Sequence, residues 1–319
     1  MNSKLLNLFV GAIAFVSFSP VVTGQIIYSE NFDVDHTANW TVNSGPGNNA
    51  ANLFFDYSTV GIPSAPGAGG TTRGLKLEAN YSGSVFGGVS VSPNAQSFSG
   101  DYKLTFNVWW NFVGPAPAGG SGSTQITGAG VGTAGTTAQW AGGAQDSIHF
   151  GATGDGGSAS DFRAYSSAAP TSYASGNAVY AAPSGAINNS AAYYAALGGN
   201  TPPAAQTTLF AQQTGTTAAG APAFAWHNGL IQKSGNSVAF SLDGLLIATV
   251  DASTVTLGGG NILFNQYDIN ATSSTDANVR NLEFGLIDNV LVTQIPEPTI
   301  CTLGLLGVAG LYLARRRRQ

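Results

Sequence analysis

Hydrophobic and polar residues alternate over residues 101–113, DYKLTFNVWWNFV. One set of alternate positions is apolar and consists of Tyr102, Leu104, Phe106, Val108, Trp110 and Phe112. The other set is largely polar and consists of Lys103, Thr105, Asn107, Trp109 and Asn111. Because successive side chains of a strand point to opposite faces, this pattern predicts a long strand with one face in a core and the other towards solvent or a ligand.

A second alternating region, residues 237–250, predicts a β-hairpin. Asp243 and Gly244 suit the positive φ angles of a two-residue turn. Such a turn pairs Leu242 with Leu245, Phe240 with Ile247, and Val238 with Thr249. Shorter apolar runs predict strands at residues 75–81, 85–91, 147–152, 224–232, 262–267 and 282–293. Many short strands joined by Gly-rich turns favour an all-β antiparallel sandwich.

Residues 114–222 are rich in Gly, Ala, Ser and Thr and carry few strand signals. A structureless loop of this length is unusual in a compact domain, so we expect an insertion that has hairpins of its own or covers one face of the sandwich. Within it, residues 130–135 match G-x-G-x-x-G, but no predicted strand precedes them and no helix follows. We interpret them as a flexible loop rather than a nucleotide site. Residues 190–197 predict a short helix.

Both ends of the chain carry apolar segments beside basic residues. Lys4, the apolar residues 5–18 and the small residues up to Gly24 predict a signal peptide over residues 1–24. The β domain then covers residues 25–294. Near the other end, the uncharged residues 300–314 would span roughly 22 Å as a helix, which makes a marginal membrane helix against a hydrocarbon core of roughly 30 Å. The basic tail 315–318 favours the cytoplasmic side.

The last segment, residues 295–319, resembles a known sorting signal. It contains a Pro-Glu-Pro motif, then the apolar run 300–314, then a basic cluster. The motif consists of Pro296, Glu297 and Pro298, and the cluster consists of Arg315, Arg316, Arg317 and Arg318. This pattern resembles the PEP-CTERM signal of Gram-negative bacteria. The resemblance implies that an exosortase, a multi-pass membrane protease or transpeptidase, recognises the precursor in the inner membrane and removes the tail. The product would then lie at the cell surface or in the extracellular matrix.

Short motifs in the body carry a second resemblance. Trp226 and His227, with the hairpin 237–250, are similar to the late strands of laminin-G-like, concanavalin-type jelly rolls. Residues 30–33 and 287–290 resemble the first and last strands of jelly-roll carbohydrate-binding modules. The resemblance implies a jelly-roll-like sandwich and leaves its subfamily open.

Charge and cysteine content narrow the possible partners. Between the two signals, residues 25–298 hold 6 basic and 16 acidic residues, a net charge of 6 − 16 = −10. A negative surface of this size disfavours nucleic acid and anionic membranes as partners. The single cysteine, Cys301, lies in the apolar run, so the exported part has neither a disulfide nor a thiol nucleophile.

The mixed face of the strand 101–113 is the candidate glycan site. Trp109 stands between Asn107 and Asn111 at alternate positions. Sugars pack their C–H faces on aromatic rings while amides hydrogen-bond their hydroxyls. The alternative is that Trp109 packs beneath the Gly-rich insertion as part of a core.

Asp288 is the candidate calcium ligand because it falls within an apolar alternation. The apolar positions around it are Leu282, Phe284, Leu286, Val290 and Val292. A carboxylate on an apolar face needs a partner, and Ca²⁺ takes six to eight oxygen ligands. We therefore consider a structural calcium ion shared by Asp288 with Glu30 or Asp33. The alternative is an Asp288 carboxylate that is hydrogen-bonded or displaced by a bulge.

Catalytic signals are weak. The chain has four glutamates and no E-x-D-x-E pattern of a jelly-roll glycosidase, and its three histidines are scattered. The expected function is therefore that of an exported, non-catalytic protein of the cell surface or polysaccharide matrix that binds glycan. A jelly-roll glycoside hydrolase or lyase and a purely structural matrix component are the alternatives.

Overall fold

The structure of the chain is a computed structural model that describes residues 24–82, 85–114, 124–270 and 276–296. Residues 25–297 form one compact unit. Of the predicted sorting motif, Pro296 is described, whereas Glu297, Pro298 and the arginines 315–318 lie outside the described residues. The signal peptide and the predicted membrane run 300–314 also lie outside them. Among the described residues, no helix has the length and apolar character needed to cross a membrane.

The described part of the chain contains fourteen strands. In chain order they are β1 (Ile26–Glu30), β2 (Trp40–Ser44), β3 (Ala50–Asp56), β4 (Arg73–Glu78), β5 (Gly87–Pro93), β6 (Tyr102–Asn111), β7 (Gln125–Thr133), β8 (Ile148–Thr153), β9 (Phe162–Tyr165), β10 (Trp226–Ser234), β11 (Ser237–Leu242), β12 (Leu245–Asp251), β13 (Asn261–Asp268) and β14 (Phe284–Gln294). Two short α-helices accompany them, α1 (Ala204–Leu209) and α2 (Val279–Leu282). Short 3-10 helices lie at Thr37–Asn39, Tyr57–Val60, Pro183–Gly185, Ala192–Leu197 and Ala252–Thr254.

The strands form two antiparallel sheets. The larger sheet has the order β12-β11-β10-β6-β14-β4-β3, and β1 also pairs with β14. One stretch of β14, around Gly285–Ile287, pairs with β4, and a later stretch pairs with β1. The smaller sheet has the order β2-β5-β13-β7-β8-β9. The prediction of an all-β antiparallel two-sheet sandwich is confirmed.

Strand β6 places its apolar alternate residues between the two sheets, as predicted. Phe106 packs edge-on against Phe264 of the smaller sheet at a ring distance of 5.2 Å. Trp110 donates its indole N–H to the carbonyl of Ala152, at 2.9 Å. The buried core therefore lies where the period of two in residues 101–113 predicted it.

The hairpin of β11 and β12 turns at the predicted residues. Asp243 and Gly244 have φ angles of 48° and 81°, and Leu242 pairs with Leu245. The pairing then shifts by one residue, so Phe240 lies opposite Ala248 rather than the predicted Ile247. The cause is a bulge between Phe240 and Ser241, because an extra residue on one strand offsets all later pairs.

The Gly-rich segment 114–222 is more than an insertion, because it supplies β7, β8 and β9 of the smaller sheet. The expected flexible loop at residues 130–135 is corrected: residues 130–133 belong to β7, which lies between β13 and β8. A Cβ on Gly128 of this strand would lie 2.2 Å from the carbonyl oxygen of Phe150 and 2.7 Å from Oδ1 of Asn265. Glycine here allows close packing within the sheet.

The later part of this segment covers the sandwich. Thr249 and Ala181 donate their backbone N–H groups to the carbonyls of Val179 and Ile247, which protects the edge strand β12. Helix α1 lies over the outer face of the larger sheet, where Gln206 donates to the carbonyl of Val60, at 3.1 Å. The helix predicted at residues 190–197 is the 3-10 helix Ala192–Leu197.

Candidate functional site

Three asparagine side chains form a hydrogen-bonded row across the outer face of the larger sheet. Asn289 of β14 donates its amide to Oδ1 of Asn107 on β6, at 2.8 Å. Asn107 donates its own amide to Oδ1 of Asn228 on β10, at 2.9 Å. We call this set the amide row. It connects three neighbouring strands at right angles to their direction.

A β-bulge in β14 brings Asn289 into the amide row. The pairing with β6 shifts between Asp288 and Leu291, and Asn289 has a φ of 51°. The bulge also moves Val290 to the buried inner face, whereas Asp288 stays on the outer face that it shares with Leu286. The predicted unbroken alternation through Val292 is therefore corrected, since the one extra residue in β14 reverses the faces after Asp288.

Two open cavities meet at Asn289. The first, of about 360 Å³, surrounds the amide row and is lined by Thr105, Phe106, Asn107, Asn228, Gly229, Leu230, Gly244 and Asn289. The second, of about 490 Å³, is lined by Ser29, Glu30, Asn31, His36, Asn289, Val290 and Leu291. Together they form a groove that runs from the hairpin turn at Gly244, across β10, β6 and β14, to β1. We call it the amide groove.

The predicted glycan residues divide between the groove and a covered region behind it. Asn107 lines the amide groove, but Trp109 is only 2% exposed and Asn111 only 3%. Asn111 donates to the carbonyl of Leu282, at 2.8 Å, and its Oδ1 accepts from Gln206 of α1, at 3.2 Å. The expectation of an exposed Trp109 platform is therefore corrected, because α1 and its neighbours cover this end of the sheet.

Trp226 of β10 is a half-buried aromatic residue on the same sheet face as Asn228, and it was not predicted as a site residue. It packs on Tyr57 and Trp109 at ring distances of 5.3 and 5.7 Å. Its indole N–H donates to the carbonyl of Pro63, at 2.8 Å. Trp226 stands two residues before Asn228 on β10, so the alternation that predicted Trp109 could have found both residues. Asn289 lies in the resembling segment 287–290, but nothing in that segment marked its side chain as part of a site.

The candidate calcium residues lie beside the same bulge. Asp288 is fully buried, accepts from the Tyr57 hydroxyl at 3.0 Å and accepts from the backbone N–H of Asn289 at 2.7 Å. Burial, with a further contribution from the nearby Asp33 charge, raises the pKa of Asp288 to about 7. Glu30 is engaged elsewhere, since it accepts from the backbone of Phe32 and lies 3.0 Å from Nδ1 of His36.

Asp33 has an unsatisfied carboxylate oxygen and acts electrostatically on Asp288. Its Oδ1 is buried and has no hydrogen-bond partner among the described residues, and its charge contributes to the raised pKa of Asp288. The described residues contain no group of three or more acidic, His or Cys side chains that could hold a metal ion. The calcium ion shared by Asp288 with Glu30 or Asp33 therefore stays a prediction.

The three histidines occupy separate environments. His36 pairs with Glu30, and His227 lies with Nδ1 2.7 Å from Asp243 and Nε2 2.8 Å from the carbonyl of Pro222. His149 is fully buried on the smaller sheet, and this burial lowers its pKa to about 3. Of the described residues lining the amide groove, Glu30 is the only carboxylate. The groove therefore offers no pair of carboxylates of the kind that retaining glycosidases use.

Comparisons with known proteins find distant similarity to solved structures. No family model matches the chain, and no curated protein matches it. Among solved structures, an endo-1,3-β-glucanase from Streptomyces sioyaensis is 12% identical with a TM-score of 0.45, over 88% of this chain and 100% of that one. The metal-free carbohydrate recognition domain of Emp46p is 8% identical with a TM-score of 0.42, over 86% and 100%.

A Bacillus subtilis protein of unknown function with a galectin-like fold is also similar, at 12% identity and a TM-score of 0.41, over 85% of this chain and 96% of that one. Similarities of this size identify neither a ligand nor an activity.

Proposed function

We propose that this chain is an exported, non-catalytic protein that binds glycan in the amide groove. The observation that carries the proposal is the amide row itself, in which three side-chain amides line an open groove on one sheet face. Amide groups match sugar hydroxyls because both can donate and accept hydrogen bonds. Thr105 adds a hydroxyl to the same cavity, and Leu230 adds apolar surface.

The groove supports binding better than hydrolysis. Double-displacement cleavage of a glycosidic bond needs two carboxyl groups about 5 Å apart, and the described lining residues supply one. That one, Glu30, is already held by Phe32 and His36. A jelly-roll hydrolase or lyase is therefore the less favoured candidate.

Delivery is a separate part of the proposal. The precursor enters the inner membrane of a Gram-negative bacterium through its signal peptide, and an exosortase removes the tail after recognising Pro296, Glu297 and Pro298. One structural feature supports this order of events: β14 ends at Gln294, and Ile295, the residue before the motif, donates its backbone N–H to the carbonyl of Asp101, at 2.8 Å.

Retention on polysaccharides tests the proposed binding. The full-length chain is passed over a panel of insoluble polysaccharides, and bound protein and released reducing ends are measured together. We expect retention without reducing ends, and we expect Asn107→Leu to abolish retention because it removes the centre of the amide row. Asn177→Leu is the matched control, since Asn177 is exposed and outside the groove. Release of reducing ends would indicate an enzyme, and neither effect would indicate a structural matrix component.

A further inference from the structure

The amide row has a fixed direction, which is set at one end by a backbone carbonyl. The amide nitrogen of Asn289 lies 3.3 Å from the carbonyl oxygen of Pro66 and 2.8 Å from Oδ1 of Asn107. A carbonyl oxygen only accepts hydrogen bonds, so the NH₂ group of Asn289 must face it. The same NH₂ group then requires the oxygen of Asn107 to face Asn289, and the NH₂ group of Asn107 to face Asn228.

The two ends of the row therefore differ chemically. At the β10 end, Asn228 uses its oxygen within the row, so its NH₂ group faces away with two hydrogens to donate. At the β14 end, Asn289 uses its NH₂ group within the row, so its oxygen is left to accept. In the described part of the chain neither free end has a protein hydrogen-bond partner. Two strand intervals, about 10 Å, separate the ends.

The absence of charged residues in the described lining of this cavity limits the class of sugar that can bind there. None of the described residues lining the cavity around the amide row is charged. At the β10 end the Asp243 carboxylate accepts from the backbone N–H of Asn228, at 2.7 Å. At the β14 end Asp288 accepts from the backbone N–H of Asn289, at 2.7 Å, and Glu30 and His36 line the adjoining cavity. An acidic sugar entering the groove would lose hydration without gaining a cationic partner in this cavity, which is unfavourable.

We infer that the amide groove takes a neutral glycan laid across the strands, with a sugar oxygen accepting from Asn228 and a sugar hydroxyl donating to Asn289. This inference rests on the proposed glycan binding and specifies its substrate class and orientation. A hydroxyl-rich ligand suits both ends because each hydroxyl can donate and accept. A sugar carboxylate only accepts hydrogen bonds, so it suits only the donor end at Asn228. A sugar ammonium group only donates, so it suits only the acceptor end at Asn289.

Isothermal titration of the full-length chain with three sugar tetramers tests the inference. The tetramers are a neutral glucose tetramer, a galacturonic acid tetramer and a glucosamine tetramer. We expect the wild type to bind the neutral tetramer at least about tenfold more tightly than the acidic one, roughly the effect of one hydrogen bond to an unmatched charge. Equal or tighter binding of the acidic tetramer would overturn the inference and leave glycan binding standing.

Asn228→Asp changes the β10 end of the row from a hydrogen-bond donor to an acceptor. The carboxylate still accepts from Asn107, but it replaces two outward donors with a negative oxygen. We expect about a tenfold loss of affinity for the neutral tetramer and a gain for the glucosamine tetramer. Asn228→Ala should lose affinity for the neutral tetramer without gaining affinity for the glucosamine tetramer. Asn177→Asp, the matched control, adds the same charge outside the groove and can still accept from the backbone of Val179.

The outcomes distinguish a failure of glycan binding from a failure of the inferred glycan orientation. If the wild type binds none of the three tetramers, both glycan binding and its orientation are overturned. If the wild type binds the neutral tetramer and folded Asn228→Asp binds it equally well, only the orientation is overturned.

Discussion

Trp109→Ala tests whether the covered end of the larger sheet is core or binding surface. The side chain is 2% exposed, packs at a tilt against Trp226 with a ring distance of 5.7 Å, and donates its indole N–H to Oδ1 of Asn111 at 3.1 Å. Truncation of a buried Trp costs about 3 to 5 kcal/mol of folding free energy. The donor to Asn111 is partly replaced, because Gln206 also donates to that oxygen. We therefore expect a loss of about 4 kcal/mol.

This loss of folding free energy can be converted to a decrease in melting temperature. The folded unit spans residues 25–297, and an unfolding entropy of about 2.1 cal/mol/K per residue makes about 4 kcal/mol equivalent to about 7 °C. Circular dichroism melts of the full-length chain measure it, with half-buried Trp226→Ala as the comparison. An unchanged melting temperature together with lost polysaccharide retention would refute the reasoning and restore Trp109 as a binding platform.

The other predictions concern the metal site, the pH dependence and the tail. Calcium at a hundred times its Kd should stabilise the chain by about 2.7 kcal/mol, a rise of about 5 °C in Tm, and Asp288→Asn should remove that rise; equal melting in calcium and in chelator would exclude the site. Burial raises the pKa of Asp268 from 3.8 to about 6, so denaturant unfolding should show stability falling by about 3 kcal/mol as pH rises from about 3 to about 7, with most of the fall between about pH 4 and 6. Asp268→Asn should flatten this fall, and an unchanged slope would contradict the assignment. In a bacterium with a matching exosortase, alanine at residues 296–298 should leave uncleaved precursor in the inner membrane, detected by immunoblotting; normal release would contradict the sorting proposal.

The sequence predicts strands well where one face is buried and the other is not. The alternation in residues 101–113 gives β6 almost to the residue, and the turn at Asp243 and Gly244 gives the hairpin. What alternation cannot show is where a bulge interrupts it. The bulges in the β11–β12 hairpin and at Asn289 each offset the pairing without leaving a mark in the hydrophobic pattern.

Strand β7 was missed for a different physical reason. Its sequence, QITGAGVGT, has glycine at three of nine positions and no aromatic residue, and glycine is depleted in strands. Its glycines allow close packing within the sheet, since a side chain on Gly128 would collide with Phe150 and Asn265. These contacts come from strands remote in sequence, so only the tertiary structure explains why glycine occupies a central strand.

The candidate site depends on a bulge residue that a single sequence does not single out. Asn289 has a φ of 51°, a conformation that Gly adopts without strain and that Asn tolerates better than most residues. Glycine would keep the bulge but would remove the amide that reaches Asn107 and Pro66. The position thus combines a backbone requirement with a side-chain requirement, and Asn meets both. Strained backbone clusters at functional sites, and at this bulge Asn289 ends the amide row while Asp288 is buried against the Tyr57 hydroxyl.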